Sequence, residues 1–335
     1  MPSTSAVPVT ILTGFLGAGK TTLLRHVLQE AHGKRIAVIV NEFGDLGFDG
    51  GLIAGCGAPS CAPGDVVELT NGCICCTLAD DFLPTMEKLL AREGRLDAIL
   101  IETSGLALPQ PLVKAFQWPT VKGRATVDAV VTLVDAAALA EGRLHLDDHD
   151  AEAPEDHDEP VEEVFEDQLA CADIVVLSKT DLVVPEKLGA IEADLRPHLR
   201  QGVRLLRSAG HLAPGVLMGL MSAAEDDLSA RAGHHGEGEE HEHDDFDSMV
   251  VAGAAFASRD AAVLAVRRAL GVEGVLRIKG HAPVAGKGAP LVVQGVGDRV
   301  DIAFAAPEEA AKTGLVVIGL KGFDAGAVTA ALEGR

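Results

Sequence analysis

Positive charge is what this 335-residue chain has too little of: 28 Lys and Arg stand against 50 Asp and Glu, a formal net charge of −22. Nucleic acid and anionic membrane surfaces are polyanions that repel such a chain at long range, so neither is an expected partner. Metal cations and basic protein surfaces are better matched. Also missing is any uninterrupted apolar run of about 18 residues, so no segment is expected to span a membrane. The opening Met1-Pro2-Ser3-Thr4-Ser5-Ala6-Val7 has no basic stretch and passes directly into apolar sequence, which is not the pattern of a signal peptide. These absences predict a cytoplasmic protein. Thiols stay reduced there, so the six cysteines are read as ligands or core residues before disulfides. The 47% hydrophobic content supports a well-buried interior, and the length predicts two domains.

What is present begins with Gly14-Phe15-Leu16-Gly17-Ala18-Gly19-Lys20-Thr21, between the apolar run Val7 to Leu12 and the helix-like Thr22 to Leu28. Strand, glycine-rich loop and helix in that order, with Gly-Lys-Thr at the end, match the phosphate-binding P-loop in residues and context. Gly14, Gly17, Ala18 and Gly19 let backbone N–H groups turn inward around an anion, and the helix N-terminus adds its partial positive charge. Lys20 is expected to reach the β- and γ-phosphates and to carry transition-state charge. The Thr21 hydroxyl is expected to hold Mg²⁺, with Thr22 beside it.

A second buried strand, Arg35 to Val40, leads into the acidic, glycine-rich Asn41 to Asp49. Its position after a strand makes Glu42, Asp45 and Asp49 candidates for a metal or for positioning water, against the plain reading of solvated turn acids. Five cysteines follow: Cys56, Cys61, then Cys73, Cys75 and Cys76 in Asn71-Gly72-Cys73-Ile74-Cys75-Cys76-Thr77. Three thiols in four residues are too crowded for core filler, and Asn-Gly favours a turn that exposes them. In an extended backbone Cys73 and Cys75 share one face and Cys76 the other, so a bend is needed to bring all three to one ion. Thiolates suit Zn²⁺ and similar soft ions. Water, Glu42 or a partner would supply a fourth ligand, which suits a site that must release its metal. A redox dithiol and inert cysteines are the competing readings, and Cys56 and Cys61 are open between an accessory thiol site and a structural role.

The strand Asp97 to Ile101 ends in Glu102-Thr103-Ser104-Gly105, an acid at a strand end followed by a glycine whose N–H can meet a γ-phosphate. Glu102 joins Glu42 as a candidate for positioning the attacking water. Another strand, Val127 to Val134, ends at Asp135, and after the helix Val161 to Cys171 the strand Asp173 to Leu177 runs into Ser178-Lys179-Thr180-Asp181. That tetrapeptide has the form of the guanine-reading motif, with Ser178 where Asn is commoner. Asp181 would accept from guanine N1–H and the 2-amino group while the Lys179 stem packs on the ring. Adenine offers neither donor, and a buried carboxylate left unpaired costs about 1–3 kcal/mol or more, so GTP is expected over ATP. Leu205 to Ala209 is placed to touch the base.

Two charged runs, His145 to Pro160 and His234 to Asp245, carry 7 of the 12 histidines. Imidazole and carboxylate suit weak, exchangeable binding of Zn, Co or Ni, beyond the plain role of surface loop and linker. From Asp247 on, strands are expected at Met249 to Phe256, Gly274 to Lys279, Leu291 to Val296, Asp301 to Phe304 and Leu315 to Leu320, with helices at Asp260 to Leu270 and Ala325 to Leu332. This small α+β module carries no catalytic constellation, and His281 in it reads as structural.

With the P-loop, Glu102-Thr103-Ser104-Gly105, Ser178-Lys179-Thr180-Asp181 and Cys73-Ile74-Cys75-Cys76 in hand, nearly the whole chain resembles the CobW family of P-loop GTPases. The resemblance implies an α/β P-loop GTPase domain with a mostly parallel sheet over residues 1–225, a His- and acid-rich linker over 226–246, and a CobW-type α+β domain over 247–335. It also implies a metallochaperone that binds GTP, Mg²⁺ and a divalent metal at the Cys-x-Cys-Cys site. The Cys56 and Cys61 segment, the context of the cysteine triplet and Arg277-Ile278-Lys279-Gly280 resemble the branch linked to aerobic cobalamin biosynthesis. That branch implies Co²⁺ and delivery to a cobaltochelatase subunit. Zn²⁺ handling is the alternative within the family, and a GTP-independent metal buffer or a P-loop kinase the alternatives outside it. With no arginine finger evident, hydrolysis by the isolated chain is expected to be slow, about 10⁻⁴ to 10⁻² s⁻¹. The metal-recipient protein is not identified, and assembly into a homo-oligomer is left open.

Overall fold

The computed structural model describes residues 6–41, 66–69, 82–92, 96–144, 160–231, 246–297, 299–305 and 313–334. They divide into two compact units, the first running through Arg231 and the second starting at Phe246.

In the first unit, apolar runs form β1 (Val7–Thr13), β2 (Ile36–Asn41), β3 (Val66–Leu69), β4 (Ala98–Glu102), β5 (Ala125–Asp135), β6 (Ile174–Ser178) and β7 (Arg204–Arg207). All pair in parallel, in the spatial order β3-β2-β4-β1-β5-β6-β7. Continuous apolar sequence rather than alternation is what such strands need, because helices cover both faces. Between the strands run α1 (Lys20–Glu30), α2 (Leu83–Leu90), α3 (Pro109–Ala115), α4 (Ala136–Ala140), α5 (Pro160–Ala170), α6 (Pro185–Leu195) and α7 (Pro214–Leu217). One apolar cluster joins Val9, Ile11, Ile39, Ile99 and Ile101 to Phe82, Met86, Leu112 and Phe116 from α2, α3 and their ends. Another joins Val134, Val175 and Leu177 to Phe165, Leu169, Leu188 and Ile191 from α5 and α6. Each such fully buried large side chain contributes about 1.5–3 kcal/mol relative to exposure.

Parallel pairing has a functional result. The C-terminal ends of β1, β2, β4, β5, β6 and β7 lie along one edge of the sheet, where open α/β sheets bind ligands. Thr13, Asn41, Glu102, Asp135, Ser178 and Arg207 are those strand ends. The 3₁₀ turn Leu228–Arg231 belongs to this unit as well: Leu228 packs on its core, and buried Arg231 donates to Cys171 O and to Asp173 Oδ1, both at 2.6 Å.

The second unit is an antiparallel sheet of β8 (Phe246–Val251), β9 (Val275–Ala282), β10 (Leu291–Val296), β11 (Arg299–Phe304) and β12 (Gly314–Leu320), in the order β11-β10-β9-β12-β8. Helices α8 (Arg259–Leu270) and α9 (Ala325–Glu333) pack on it, burying Ala262, Val266, Val328 and Leu332 with Ile278, Val293 and Val317. The strand expected at Met249 to Phe256 starts earlier and ends at Val251. Phe256 leaves the sheet to pair with the stretch after β9, its N–H on Pro283 O and its carbonyl accepting from Ala285 N. The strand expected to stop at Lys279 continues through Gly280 (φ 138) to Ala282, because β10 and β12 both pair across that glycine. His281 is therefore buried inside a central strand.

Candidate functional site

The loop between β1 and α1 is a cradle. Gly14, Gly17 and Gly19 all have positive φ (129°, 76° and 98°), the region that favours glycine. A Cβ on Gly14 would stand 2.2 Å from Leu133 O, so the loop's first position tolerates no side chain. Gly19 is the N-cap of α1, and no side chain caps that helix. Uncapped N–H groups at a helix start, framed by glycines, fit a phosphate. Lys20 is buried, and its Nζ donates to Gly14 O (2.5 Å) and Phe15 O (3.2 Å), which places the ammonium across the loop. Ser178 Oγ donates to Ala18 O at 2.7 Å, fixing the loop from the side of β6.

Thr21, on the first turn of α1, donates its hydroxyl to Glu102 Oε1 at 2.6 Å. Glu102 ends β4 beside β1 and is buried. A hydroxyl and a carboxylate held together at the phosphate end are the hard oxygen donors Mg²⁺ takes, so the residues present fit that ion. The segment after Glu102 is anchored as well. Thr103 N donates to Leu12 O, and Thr103 Oγ1 lies 3.0 Å from Thr13 Oγ1. Gly105 is pressed against the P-loop: a Cβ there would meet Leu16 Cδ2 at 2.5 Å and Leu16 N at 2.8 Å. On its other side Gln168 of α5, completely buried, donates from Nε2 to Gly105 O (3.1 Å) and Ala107 O (3.2 Å).

The residues expected from the sequence to meet the base lie at the ends of β6 and β7, beside the end of β5. Ser178 Oγ also donates to Val134 O, at 3.2 Å. The shorter serine thus ties the end of β6 both to the P-loop and to β5. Lys179 adopts a left-handed conformation (φ 54°) and its Nζ lies 2.6 Å from Asp135 Oδ2. The other Asp135 oxygen caps α4, accepting from Ala137 N and Ala138 N at 3.0 Å. Asp181 faces solvent, engaged by no described residue. Thr180 N donates to Ser208 O at 3.4 Å, and the Ser208 hydroxyl joins His211 O and Gly210 N. β7 is held from below by Arg207, whose guanidinium takes both Glu192 oxygens (2.6 and 3.0 Å) and holds that carboxyl below its usual range.

Sequence reasoning left Asp135 and Gln168 without a role. Asp135 was legible as an acid at a strand end before an alanine run, which is an N-cap pattern. Gln168 gave no signal, since a glutamine inside an amphipathic helix reads as surface.

Of the metal-site candidates, Thr21 is placed as above. Glu42, Cys73, Cys75 and Cys76 lie outside the described residues, as do Cys56, Cys61 and both histidine-rich runs. Among the described residues no group of three or more His, Cys, Asp or Glu is arranged to hold a metal. The sixth cysteine is not a ligand candidate: Cys171 is buried, and desolvation, with smaller opposing contributions from Arg231 and Arg200, pushes its thiol up to about 12. Among the described residues no helix is long and apolar enough to cross a membrane.

Residues 8–204 match the model of the CobW/HypB/UreG nucleotide-binding domain, and residues 246–335 that of the cobalamin synthesis protein CobW C-terminal domain. Zinc chaperone CobW of a Sinorhizobium species is 49% identical over 342 residues, covering 97% of this chain and 96% of that one. Zinc chaperone CobW of Pseudomonas aeruginosa is 48% identical, covering 95% and 89%. Zinc chaperone YjiA of Escherichia coli K12 is 36% identical over 197 residues, covering 56% and 55%. By its matched domains and its full-length relatives, this chain belongs to the CobW/HypB/UreG family of nucleotide-binding proteins.

Proposed function

We propose that the chain is a GTP-hydrolysing metallochaperone: it takes a divalent transition metal at Cys73, Cys75 and Cys76 in the Mg-GTP state and releases it to a recipient protein after hydrolysis. One observation carries the switch. Thr21 of the P-loop helix is bonded to Glu102, and three residues further on Gly105 lies against Leu16, so the phosphate cradle and the segment after β4 are already in contact. A γ-phosphate added between the cradle and Gly105 N–H has an immediate path into the chain that follows β4.

In hydrolysis, water attacks the γ-phosphorus of GTP, the bond to the β-phosphate oxygen breaks, and GDP and phosphate leave. Lys20 exchanges its two carbonyl partners for phosphate oxygens and carries developing charge. Mg²⁺ supplies electrostatic stabilisation of the phosphates when bound, and Thr21 is the residue here that would hold it. Glu102 orients the Thr21 hydroxyl, which makes it a positioning residue for the cation, and Glu102 or Glu42 orients the attacking water. Asp181 reads guanine, and Lys179, braced by Asp135, covers the ring.

The names of the full-length relatives favour Zn²⁺ as cargo, and thiolates hold Zn²⁺ more tightly than Co²⁺ in the Irving–Williams order. Co²⁺, delivered to a cobaltochelatase for cobalamin biosynthesis, is the second reading. Its support is the sequence around Cys56, Cys61 and the cysteine triplet, with Arg277-Ile278-Lys279-Gly280. The organisation proposed is a GTPase domain over 1–225, a linker over 226–246 whose Leu228–Arg231 turn packs on that domain, and a partner-contacting module over 247–335. The compartment proposed is the cytoplasm. Phosphate release from GTP with no acceptor added, slow and absent with ATP, is expected. Equal turnover of ATP, or phosphate release only with a small-molecule acceptor, would replace this reading with a kinase or a general NTPase.

A further inference from the structure

Away from the phosphate cradle, α1 meets the chain that follows β7 through two imidazoles. His26 Nδ1 and His211 Nδ1 stand 3.3 Å apart, with the rings inclined at 73°. The outer nitrogen of His26 faces Glu30, one helical turn on, with Nε2 3.4 Å from Oε1. His26 is partly exposed and His211 exposed, so an ion reaches them from solvent.

Without a metal, two neutral imidazoles satisfy this contact by one Nδ1–H donating to the other ring's lone pair. The same gap is what a chelated ion requires. Zinc–nitrogen bonds of about 2.0–2.1 Å at a tetrahedral angle put two ligating nitrogens about 3.3 Å apart. The carboxylate is also on the correct atom. Histidines that ligate metals typically donate their other N–H to a carboxylate or carbonyl, which fixes the tautomer that leaves the ligating nitrogen bare. Glu30 Oε1, 3.4 Å from Nε2, favours the tautomer of His26 that carries its proton on Nε2, in which Nδ1 is the lone-pair nitrogen.

We propose that His26 and His211 form a second divalent-cation site, suited to Zn²⁺ or a similar imidazole-binding ion. Glu30 is its outer carboxylate, and water completes the coordination. On binding, the proton that His211 carries on Nδ1 leaves to solvent and one from solvent takes its place on Nε2, so both rings stay neutral and each Nδ1 lone pair forms a nitrogen–metal bond; a rotation of the exposed His211 side chain widens the ring separation from the present 4.4 Å between centroids. The site uses no thiol and needs no nucleotide, so it stands or falls separately from the switch proposed above. With two protein donors it is the weaker, exchangeable site.

Its position gives it an effect. α1 begins at the P-loop, while Ser208, hydroxyl-bonded to His211 O, accepts from Thr180 N next to Asp181. An ion on both histidines ties the phosphate side of the nucleotide site to its base side, and slower GDP release is the result.

The test is a Zn²⁺ titration of the ¹⁵N-labelled full chain followed through imidazole nitrogen resonances, with His26 and His211 assigned by their loss in His26→Gln and His211→Gln. Both Nδ1 resonances are expected to move together at the same added zinc. His211→Gln should abolish the movement at His26, and Glu30→Gln should raise the half-saturating zinc about tenfold. Movement of one histidine without the other, or of neither while the histidines of 145–157 and 234–243 saturate, overturns the proposal. GDP binding measured on each variant confirms that it is folded.

Discussion

Asp181 and Cys171 show how two ionisable side chains take opposite roles according to what surrounds them. Asp181 lies in the 3₁₀ turn Thr180–Leu182, behind left-handed Lys179, and faces solvent, and the function proposed here gives its carboxylate to guanine. Hydrogen bonds to a charged group contribute about 1.5–3 kcal/mol, so Asp181→Ala should lower GDP affinity by about 10- to 100-fold in a fluorescent-nucleotide titration. Unchanged affinity would mean that guanine is read elsewhere. Cys171 is the reverse case, a thiol kept neutral by burial with a pKa of about 12. It should resist alkylation in the native chain at pH 8 and react only on unfolding, as peptide mapping would show. The unfolded chain loses this proton near its ordinary 9.0 and the folded chain only near 12. Between those values stability falls as pH rises, by at most about 1.4 kcal/mol per pH unit from this group, and Cys171→Ala should flatten that slope.

At the scale of elements, the loop behind Gly105 depends on a helix. Gln168 holds the carbonyls of Gly105 and Ala107 from the buried face of α5, and Thr132 Oγ1 holds Gln168 O in turn. Gln168→Leu keeps the bulk and removes the donor. GTP hydrolysis should fall about tenfold while GDP affinity stays within about twofold, since losing one buried partner costs roughly 1–3 kcal/mol and the base-side contacts are untouched. Equal losses in both would show a merely structural glutamine. Elements with strong apolar runs were legible from sequence, including all strands that end at the site except β7, which was only outlined. α3 was not, because Pro109 and Pro111 read as breakers, yet they fall in a helix's first turn, where a missing N–H costs nothing. β3 is four residues long, too short for a periodic signal. β8 was misplaced because it is an edge strand, whose Asp247 and Ser248 face no core. The P-loop was legible because backbone conformation dictates its glycines, Gly14, Gly17 and Gly19, all at positive φ. The Asp135 brace and the Gln168 latch are tertiary contacts across 44 and 61 or more residues of chain, which no local pattern encodes.

For the whole molecule, the proposal is a linkage between two ligands. If GTP tightens the cysteine site by some factor, the metal must tighten GTP binding by the same factor, and couplings of this kind run from about 5- to 150-fold. The net charge of −22 favours cation capture in every nucleotide state, so bulk electrostatics alone would give no such difference. The most direct measurement is a titration with Co²⁺, a visible-absorbing stand-in for Zn²⁺, under Mg-GTP, Mg-GDP and no nucleotide, repeated on Cys75→Ser. Intense tetrahedral thiolate bands that saturate at least fivefold more tightly with GTP, and vanish in the variant, are the predicted result. Equal affinity in all three conditions would contradict the switch and leave a metal buffer that happens to bind a nucleotide.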